Sequence, residues 1–555
     1  MATLSRHPWI AIALVFASTL AAYLSTLVPG VAGGDAGEMQ FTAPLFAIAH
    51  STGYPLYVAL GFLWAKLVPI GTVALRMNLL AAVSAAAGCA IVAGFVCRLH
   101  RSSAVAIAAG LSLGYGLTYW GQAVIADKYA FNAIFVAAIT GLALVWIGES
   151  RRPQADRLLY VLSLVYGLSL LHHRTMLLFG PCLALLVIWH ERGELARRWR
   201  RTLTCLALVA LPPLIGYGIY LPFAQSRNLS PVEWRPTDIS GWIEWLIYRQ
   251  YSLAAFGLDG LGPRLAYFGA TLLADHTIVV PLLALGGLAA MARRQGKAAL
   301  FLLASFAITG ILSANYRAYE RPYYFFLPAF ILLIYAYAAG LAWAQRFAGR
   351  WLLAHPGLTA PGRLLCAVLA LAIPALQFAH AYPVQRLAAV YGAPLDIWRQ
   401  SLKSGTLGER LAANMGDLPQ DAVLVGDWEQ LTVFWYYQKV EGVRPDLLLV
   451  YPIERVGEYL GGPRPVCLMR HLPVSAAWRL TNVGAVACLN AAPVFAAPQG
   501  ITPIGTALTT PAGQPRLELL GHSPLRAVYS AGQYAPVTLS WRALSDISEN
   551  WAISL

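Results

Sequence analysis

Tyr54-Pro-Leu-Tyr-Val-Ala-Leu-Gly-Phe-Leu-Trp-Ala-Lys-Leu-Val-Pro-Ile70 is apolar enough to pass for a membrane span, and counting it or not sets the topology of the whole chain. Hydrophobic runs of helix-spanning length otherwise recur at 8–28, 77–97, 104–121, 129–148, 158–171, 175–190, 202–222, 265–291, 298–313, 322–345 and 364–383. If 54–70 crosses the bilayer, Arg98 and Arg101 fall outside and every later loop opposes the cytoplasmic excess of Lys and Arg. If it does not cross, every arginine-rich loop becomes cytoplasmic: Arg98/Arg101, Arg151/Arg152/Arg157, Arg192 to Arg201, Arg293/Arg294/Lys297 and Arg346/Arg350/Arg363. The second arrangement is therefore expected, with 35–49 and 54–70 as helices lying at the outer interface. About eleven spans then place the N-terminus in the cytoplasm and the C-terminal part outside.

Composition supports this class. The 555 residues are 58% hydrophobic and 12% charged, where soluble domains run near a quarter charged. The net charge of +14 sits in short inter-span loops, so it reflects topology and attraction to anionic lipid rather than nucleic-acid binding. Residues 1–28 carry Arg6 before a run longer than a signal-peptide core, and they read as an uncleaved first helix. Cys89, Cys97, Cys182, Cys205 and Cys366 lie in membrane segments and read as small apolar residues. Cys467 and Cys488 fall in the soluble part, where an oxidising compartment permits pairing.

Acids are scarce, yet two of them stand in Val31-Ala-Gly-Gly-Asp-Ala-Gly-Glu-Met-Gln40, at the mouth of a span. Charge beside a bilayer is costly and usually functional. The topology that satisfies the arginines also puts Asp35, Glu38, Asp127, Lys128, His172, His173, Arg174, the 223–263 loop and Arg321 on one outer face. That convergence is the main argument from the residues alone for an outward-facing site. The soluble tail contains Asp421-Ala-Val-Leu-Val-Gly-Asp-Trp428, a helix over Glu429–Lys439 and Asp446-Leu-Leu-Leu-Val-Tyr451, which reads as a βαβ unit. Leu517-Glu-Leu-Leu-Gly521 and Tyr534–Trp541 alternate like strands of a sandwich.

Gly34-Asp-Ala-Gly-Glu38, Gly53-Tyr-Pro-Leu-Tyr57 and Arg76-Met-Asn-Leu-Leu80 resemble the opening of the family called domain of unknown function 2723, which includes eukaryotic transmembrane protein O-mannosyltransferases and bacterial relatives. Trp120-Gly-Gln-Ala-Val-Ile-Ala-Asp-Lys-Tyr129, Gly167-Leu-Ser-Leu-Leu-His-His173, Tyr220-Leu-Pro-Phe, Ser226-Arg-Asn, Trp234, Gly426-Asp-Trp-Glu and Gly442-Val-Arg-Pro-Asp446 continue the resemblance along most of residues 8–450. His50-Ser-Thr-Gly-Tyr-Pro55 departs from the family's His-Pro-Pro-Gly-Tyr-Pro, and Asp127-Lys128 stands where Glu and a small residue are common. The resemblance implies a C-type glycosyltransferase architecture and a polyprenyl-phosphate-linked sugar donor, with an acid in the first outer loop.

The chemistry fits those residue types. An attacking hydroxyl needs a base within hydrogen-bond reach, and a departing lipid phosphate needs cationic or N–H partners. Asp35 is the expected base. Glu38 is a second acid, an orienting partner, or the N3 member of a capping box with Asp35 as N-cap. Asp127, Lys128, His172, His173, Arg174, Arg321 and Trp234 are the expected donor-phosphate or substrate contacts. Arg321 is chosen to pair with the phosphate, beside Glu320 and with Arg317 as the weaker alternative. Bland readings stand beside these: a salt bridge for Asp127–Lys128, a structural hydrogen bond for the histidines, and interfacial anchoring for Trp234 next to Arg235. No metal-ligand spacing accompanies the histidines, and no cofactor is expected. The Asp427 turn resembles a ligand-binding strand end without a phosphate-cradling glycine motif.

The expected organisation is a transmembrane glycosyltransferase-like domain over 1–383 with its first outer loop at 29–76. An extracytoplasmic α/β domain follows at 384–510, then the start of a truncated β-sandwich at 511–555. The expected activity is inverting, metal-independent transfer of a hexose, mannose among the candidates, from the lipid carrier to an acceptor hydroxyl, with Ser/Thr of a protein the first choice. The expected place is a bacterial plasma membrane. Transfer to a cell-envelope glycan or lipid, a transporter or flippase of lipid-linked sugars, and a noncatalytic scaffold are the rivals. A transporter predicts inverted repeats and broken helices, which the sequence does not display.

Overall fold

The computed structural model describes residues 8–149, 155–227, 238–247, 257, 259–316, 323–353, 359–391, 412, 415–416, 418–470, 472, 478–483, 486–490, 500–510, 512–522 and 539–545. Trp234, Arg235, Arg317, Glu320 and Arg321 lie outside them. The chain divides into two compact units, Met1–Gly408 and Glu409–Leu555.

The first unit is helical: α1 Pro8–Leu24, α2 Gly34–Leu45, α3 Pro55–Leu67, α4 Val73–His100, α5 Ser103–Gly114, α6 Leu117–Ala123, α7 Lys128–Glu149 and α8 Ala155–Leu170 come first. Then come α9 Phe179–Glu191, α10 Trp199–Ser226, α11 Ile239–Ile247, α12 Leu261–His276, α13 Val279–Ala292, α14 Gly296–Ala314, α15 Leu327–Leu353 and α16 Thr359–Tyr391. Lipid supplies no hydrophobic drive between helices, so close backbone approach has to hold them together. Alanine dominates the buried faces of α4, and α1, α5 and α7 pack against it. The closest crossing is α13 on α15: a Cβ on Gly287 would lie 2.1 Å from the Ala336 carbonyl oxygen, and one on Gly340 would lie 1.9 Å from that of Leu283. An alanine at either position would force these helices apart.

Each of the eleven expected spans meets a helix, but they are not eleven full-length spans. Among the described residues seven helices are long and apolar enough to cross a membrane, or eight if one bent pair counts as a single span. The expected 265–291 span is that pair: α12 and α13 meet at 100°, with Thr277 in the left-handed region. The expected 104–121 span also breaks, between α5 and α6. The two breaks satisfy one another. The Asp275 carboxylate at the end of α12 accepts hydrogen bonds from the Thr118 N–H at 2.9 Å and the Thr118 hydroxyl at 3.1 Å, which caps the start of α6. Hydropathy registers both segments as apolar and cannot see an acid that caps a distant helix.

The second unit holds β1 Val423–Val425, α17 Trp428–Val440, β2 Leu448–Val450, β3 Val466–Leu468, β4 Arg479–Val483 and β5 Val486–Asn490 in a sheet of order β2-β1-β3-β5-β4. β1 pairs in parallel with β2 through the α17 crossover, as the βαβ pattern predicts. Cys467 and Cys488 sit opposite each other on β3 and β5 and form a disulfide. A separate antiparallel sheet contains β6 Thr502–Thr509, β7 Pro515–His522 and β8 Leu539–Ala543. Its first strand therefore precedes residue 511.

Candidate active site

α2 carries the two acids, and it starts in an unexpected way. Its N-cap is Gly33, without a side-chain cap, and Gly34 takes φ 63°. Asp35 and Glu38 therefore form no capping box, which frees both carboxylates for tertiary partners. Nor is α2 an amphipathic surface helix, because residues 36–43 are buried on every side. Its polar groups are matched internally. The Gln40 side-chain oxygen accepts from the Ala32 N–H at 2.9 Å, and its amide donates to Asn78 at 2.9 Å. Thr42 donates to the Glu38 carbonyl at 2.8 Å.

Two polar brackets set the loops around α2. Asn78, fully buried on α4, donates to the Val28 carbonyl at 2.7 Å and accepts from Gln40 and from the Ala126 N–H at 2.8 Å. One amide thus fixes the segment before α2, α2 itself and the 124–127 loop relative to one another. The second bracket comes from far along the chain. Tyr220 donates to the carbonyls of Ala47 at 2.7 Å and Gly53 at 3.1 Å, Tyr217 donates to that of Thr52 at 3.0 Å, and Ser51 donates to that of Trp245. Gly53 has φ 76°, and a Cβ there would lie 2.6 Å from the Trp245 ring. Only glycine meets both demands. This explains the Gly53-Tyr-Pro55 motif: the glycine lets the loop pass beneath Trp245, and Pro55 opens α3.

The brackets bring a charged cluster together. Lys128, 1% exposed, donates to the Asp35 carboxylate and stands 3.3 Å from that of Asp127. Its ammonium also lies 4.8 Å from the Tyr129 ring centre and 5.4 Å from that of Tyr54, within cation–π range. Glu38 is fully buried and grips His50 twice, accepting from its backbone N–H at 2.5 Å and pairing with its Nδ1. His50 Nε2 then faces the Tyr54 hydroxyl at 2.9 Å and the Asp35 carboxylate at 3.8 Å. Burial alone would depress the His50 pKa, but the Glu38 and Asp35 carboxylates outweigh it and hold the imidazole above its usual value, against the opposing Lys128 charge. Burial likewise raises Asp127, with Lys128 opposing. Asp35 keeps a quarter of its side chain exposed and is the accessible acid of the cluster.

His172 and His173 are buried beside this cluster. His172 is fully buried, and its Nε2 donates to the Lys128 carbonyl at 3.1 Å. Burial pushes it down to about 3, so it is neutral near pH 7. His173 Nδ1 accepts from the Thr175 N–H at 3.2 Å, its ring stacks on Tyr54 at 5.5 Å, and burial again lowers its pKa. Arg174 reaches the Tyr316 hydroxyl at 3.5 Å and is half-buried beside the cluster. In this arrangement the histidines hold the backbone of Lys128 and the ring of Tyr54.

The atoms of Asp35, Glu38 and His50 that could ligate a metal come within 4.8 Å of one another. Glu38 and His50 are already turned to each other, and the ammonium of Lys128 occupies the flank of Asp35, where it would repel a divalent ion. The set suits proton transfer better than ion binding. Residue reading alone missed His50, Tyr54, Gln40, Asn78 and Tyr220. His50 and Tyr54 stood in the quoted loop, so a histidine twelve residues after a buried glutamate was the available signal.

Residues 35–196, which hold all of this cluster, match the family described as the Protein O-mannosyl-transferase TMEM260 N-terminal domain. The chain is 26% identical to Protein O-mannosyl-transferase TMEM260 of Mus musculus over 251 residues, covering 45% of this chain and 35% of that protein. It is 25% identical over 266 residues to the same-named protein of Dictyostelium discoideum, covering 45% and 32%. The chain thus spans about a third of the length of these curated relatives. Among solved structures it is similar to ArnT from Cupriavidus metallidurans in the apo state (TM-score 0.54, 13% identity, 87% of this chain and 97% of that one) and bound to undecaprenyl phosphate (0.52, 14%, 89% and 100%). It is also similar to the archaeal oligosaccharyltransferase AglB from Archaeoglobus fulgidus in complex with an inhibitory peptide and a dolichol-phosphate (0.51, 11%, 82% and 69%). The fold is that of the C-type glycosyltransferases, and the protein is an integral membrane protein.

Proposed function

We propose that the chain is a membrane glycosyltransferase that moves a hexose, mannose by first choice, from a polyprenyl-phosphate carrier to a Ser or Thr hydroxyl of a protein. The observation that carries this reading is the convergence of Asp35, His50, Lys128 and Arg174 from four separate segments at one end of the bundle, inside the region similar to the O-mannosyl-transferases. The undecaprenyl phosphate on ArnT and the dolichol-phosphate on AglB support the donor class. The wider family of domain of unknown function 2723 is the sequence context we assign.

In this reading Asp35 takes the proton of the acceptor hydroxyl as the new bond to the anomeric carbon forms. The bond from that carbon to the phosphate oxygen breaks, and its electron pair leaves with the lipid phosphate. Lys128 orients Asp35 through their ion pair, and Arg174 faces the phosphate. His50, oriented by Glu38, takes the proton on from Asp35 and resets it for the next turnover. Arg174 supplies the positive charge toward the phosphate, and the transfer is metal-independent in this reading. Arg321 and Trp234 retain their proposed phosphate and substrate contacts on sequence grounds. The site faces out of the cytoplasm at a plasma membrane, and the second unit, whose Cys467–Cys488 disulfide suits an oxidising compartment, helps recruit the acceptor.

Purified, folded Asp35→Asn should transfer hexose about 10²- to 10⁴-fold more slowly than wild type. Transfer at the wild-type rate would overturn the assignment. A glycan or lipid acceptor keeps the same chemistry and is separated by offering all three acceptors with one labelled donor. The paired helix breaks at Thr118 and Asp275 are the observation that favours a transporter; a transporter would move the donor without consuming it.

A further inference from the structure

The second unit has its own polar centre, away from the acids discussed so far. β1 lies between β2 and β3, both parallel to it. The chain leaves β1 toward β2 and later returns to the other side as β3. Such a reversal opens a crevice at the carboxyl ends of the strands, the usual place for a ligand in sheets of this kind. The residues at those ends are Asp427 after β1, Tyr451 and Glu454 after β2, and Arg470 after β3. Arg470 bridges the crevice: it donates to both oxygens of Asp427 and, at 3.4 Å, to Glu454. Trp428, next after Asp427, and Tyr451, next after β2, have ring centres 5.4 Å apart at 56°, with Trp435 on Trp428 at 5.8 Å, and both are half-buried. Gly426 closes the floor, since a Cβ there would lie 2.6 Å from the Met469 side chain.

We propose that this strand-end surface binds a neutral sugar, with one face of the ring on Trp428 and Tyr451 and its hydroxyls on the Asp427–Arg470–Glu454 network. Two carboxylates against one guanidinium leave the surface net negative, which repels phosphate and nucleotide. Asp427 caps α17 and holds Arg470 in place, and the exposed Glu454 carboxylate beside that planar donor matches the alternating donor and acceptor character of vicinal hydroxyls. The aromatic rings match the C–H face of a pyranose. A floor closed by Met469 suits a single ring lying on a surface. The site goes beyond the transfer reaction: it would hold a sugar already on the acceptor, and it can exist whether or not the transfer reading is right.

The test uses the full chain in detergent, with methyl α-mannopyranoside as probe and saturation-transfer NMR as readout. Trp428→Ala and Arg470→Ala should each weaken binding at least tenfold and leave transfer to an unglycosylated peptide unchanged. Glu454→Ala, at an exposed side chain, should weaken it less and serves if the tryptophan variant fails to fold. Asp35→Asn should bind the probe as wild type does, which separates this site from the membrane one. Equal binding by wild type and all folded second-unit variants would overturn the proposal, as would displacement of the probe by inorganic phosphate.

Discussion

Two buried cations sit at opposite ends of the same helices, each between two carboxylates. At one end Lys128 lies between Asp35 and Asp127; at the other Arg201, 7% exposed, lies between Asp156 and Glu191. α8, α9 and α10 run from one to the other, with Asp156, Glu191 and Arg201 at the ends remote from His172, Arg174 and Tyr220. The arginine network is closed. Its fork sends one arm to each acid, and Arg198 adds a second cation on Asp156, so two guanidiniums meet two carboxylates. The lysine network is open. One point charge faces both Asp35 and Asp127, and a third acid is taken by His50. Closed networks hold a topology in place; the open one has charge left over to act on a substrate.

That contrast can be broken in order of expected effect. Lys128→Met leaves two acids facing each other with no cation between them, and should lower stability by about 3–5 kcal/mol as well as abolish transfer; denaturant titration and an activity assay read both. A smaller loss would mean that the acids escape to water and the network is not buried as described. Glu38→Gln should act on pH dependence. In the wild type His50 must be neutral to accept a proton, so its raised pKa puts the acid limb of the rate profile above the ordinary histidine value of about 6.5. Removing the Glu38 charge lowers that pKa, and the limb moves to lower pH. The linked stability has the same origin: it is complete below about 6.5, fades as pH rises through the raised pKa, and is lost in the variant. An unmoved limb would remove His50 from the proton path. Arg98→Ala breaks a pair in which the arginine side chain is 54% exposed, with Glu149 as partner, and should change stability by at most about 1 kcal/mol and transfer not at all. A large loss there would make the arginine end more than a topological signal.

Much of this arrangement is legible in the sequence. Loop arginines sorted the helix ends, and the two poles they imply are present: Arg98 meets Glu149 at one, and Asp35 meets Lys128 at the other. Asp35, Asp127 and Lys128 come together as one cluster, although their sequence separation of 93 residues hides it. Three things were not legible. The capping-box alternative for Glu38 stayed open because a glycine-led helix start is invisible in a list of residue types. The hydrogen bond from His172 to the Lys128 carbonyl is hidden because sequence shows that a polar group interrupts an apolar run and not which way it points. The helix breaks at Thr118 and Thr277 depend on Asp275, 157 residues from the N–H that it accepts. Long-range hydrogen bonds to backbone carry no period, so no pattern in the chain announces them.

The loop holding His50 and Gly53 is clamped by residues that emerge from the ribosome long after it. Tyr220 follows Ala47 by 173 residues, and Trp245 follows Ser51 by 194. At about 5–20 residues per second, synthesis leaves that loop without its clamp for roughly 10–40 s after it has been made. A nascent chain can insert its first helices in that interval before the clamp exists, so the candidate site is set from its later segments backward. The distance between clamp and loop acts as a clock.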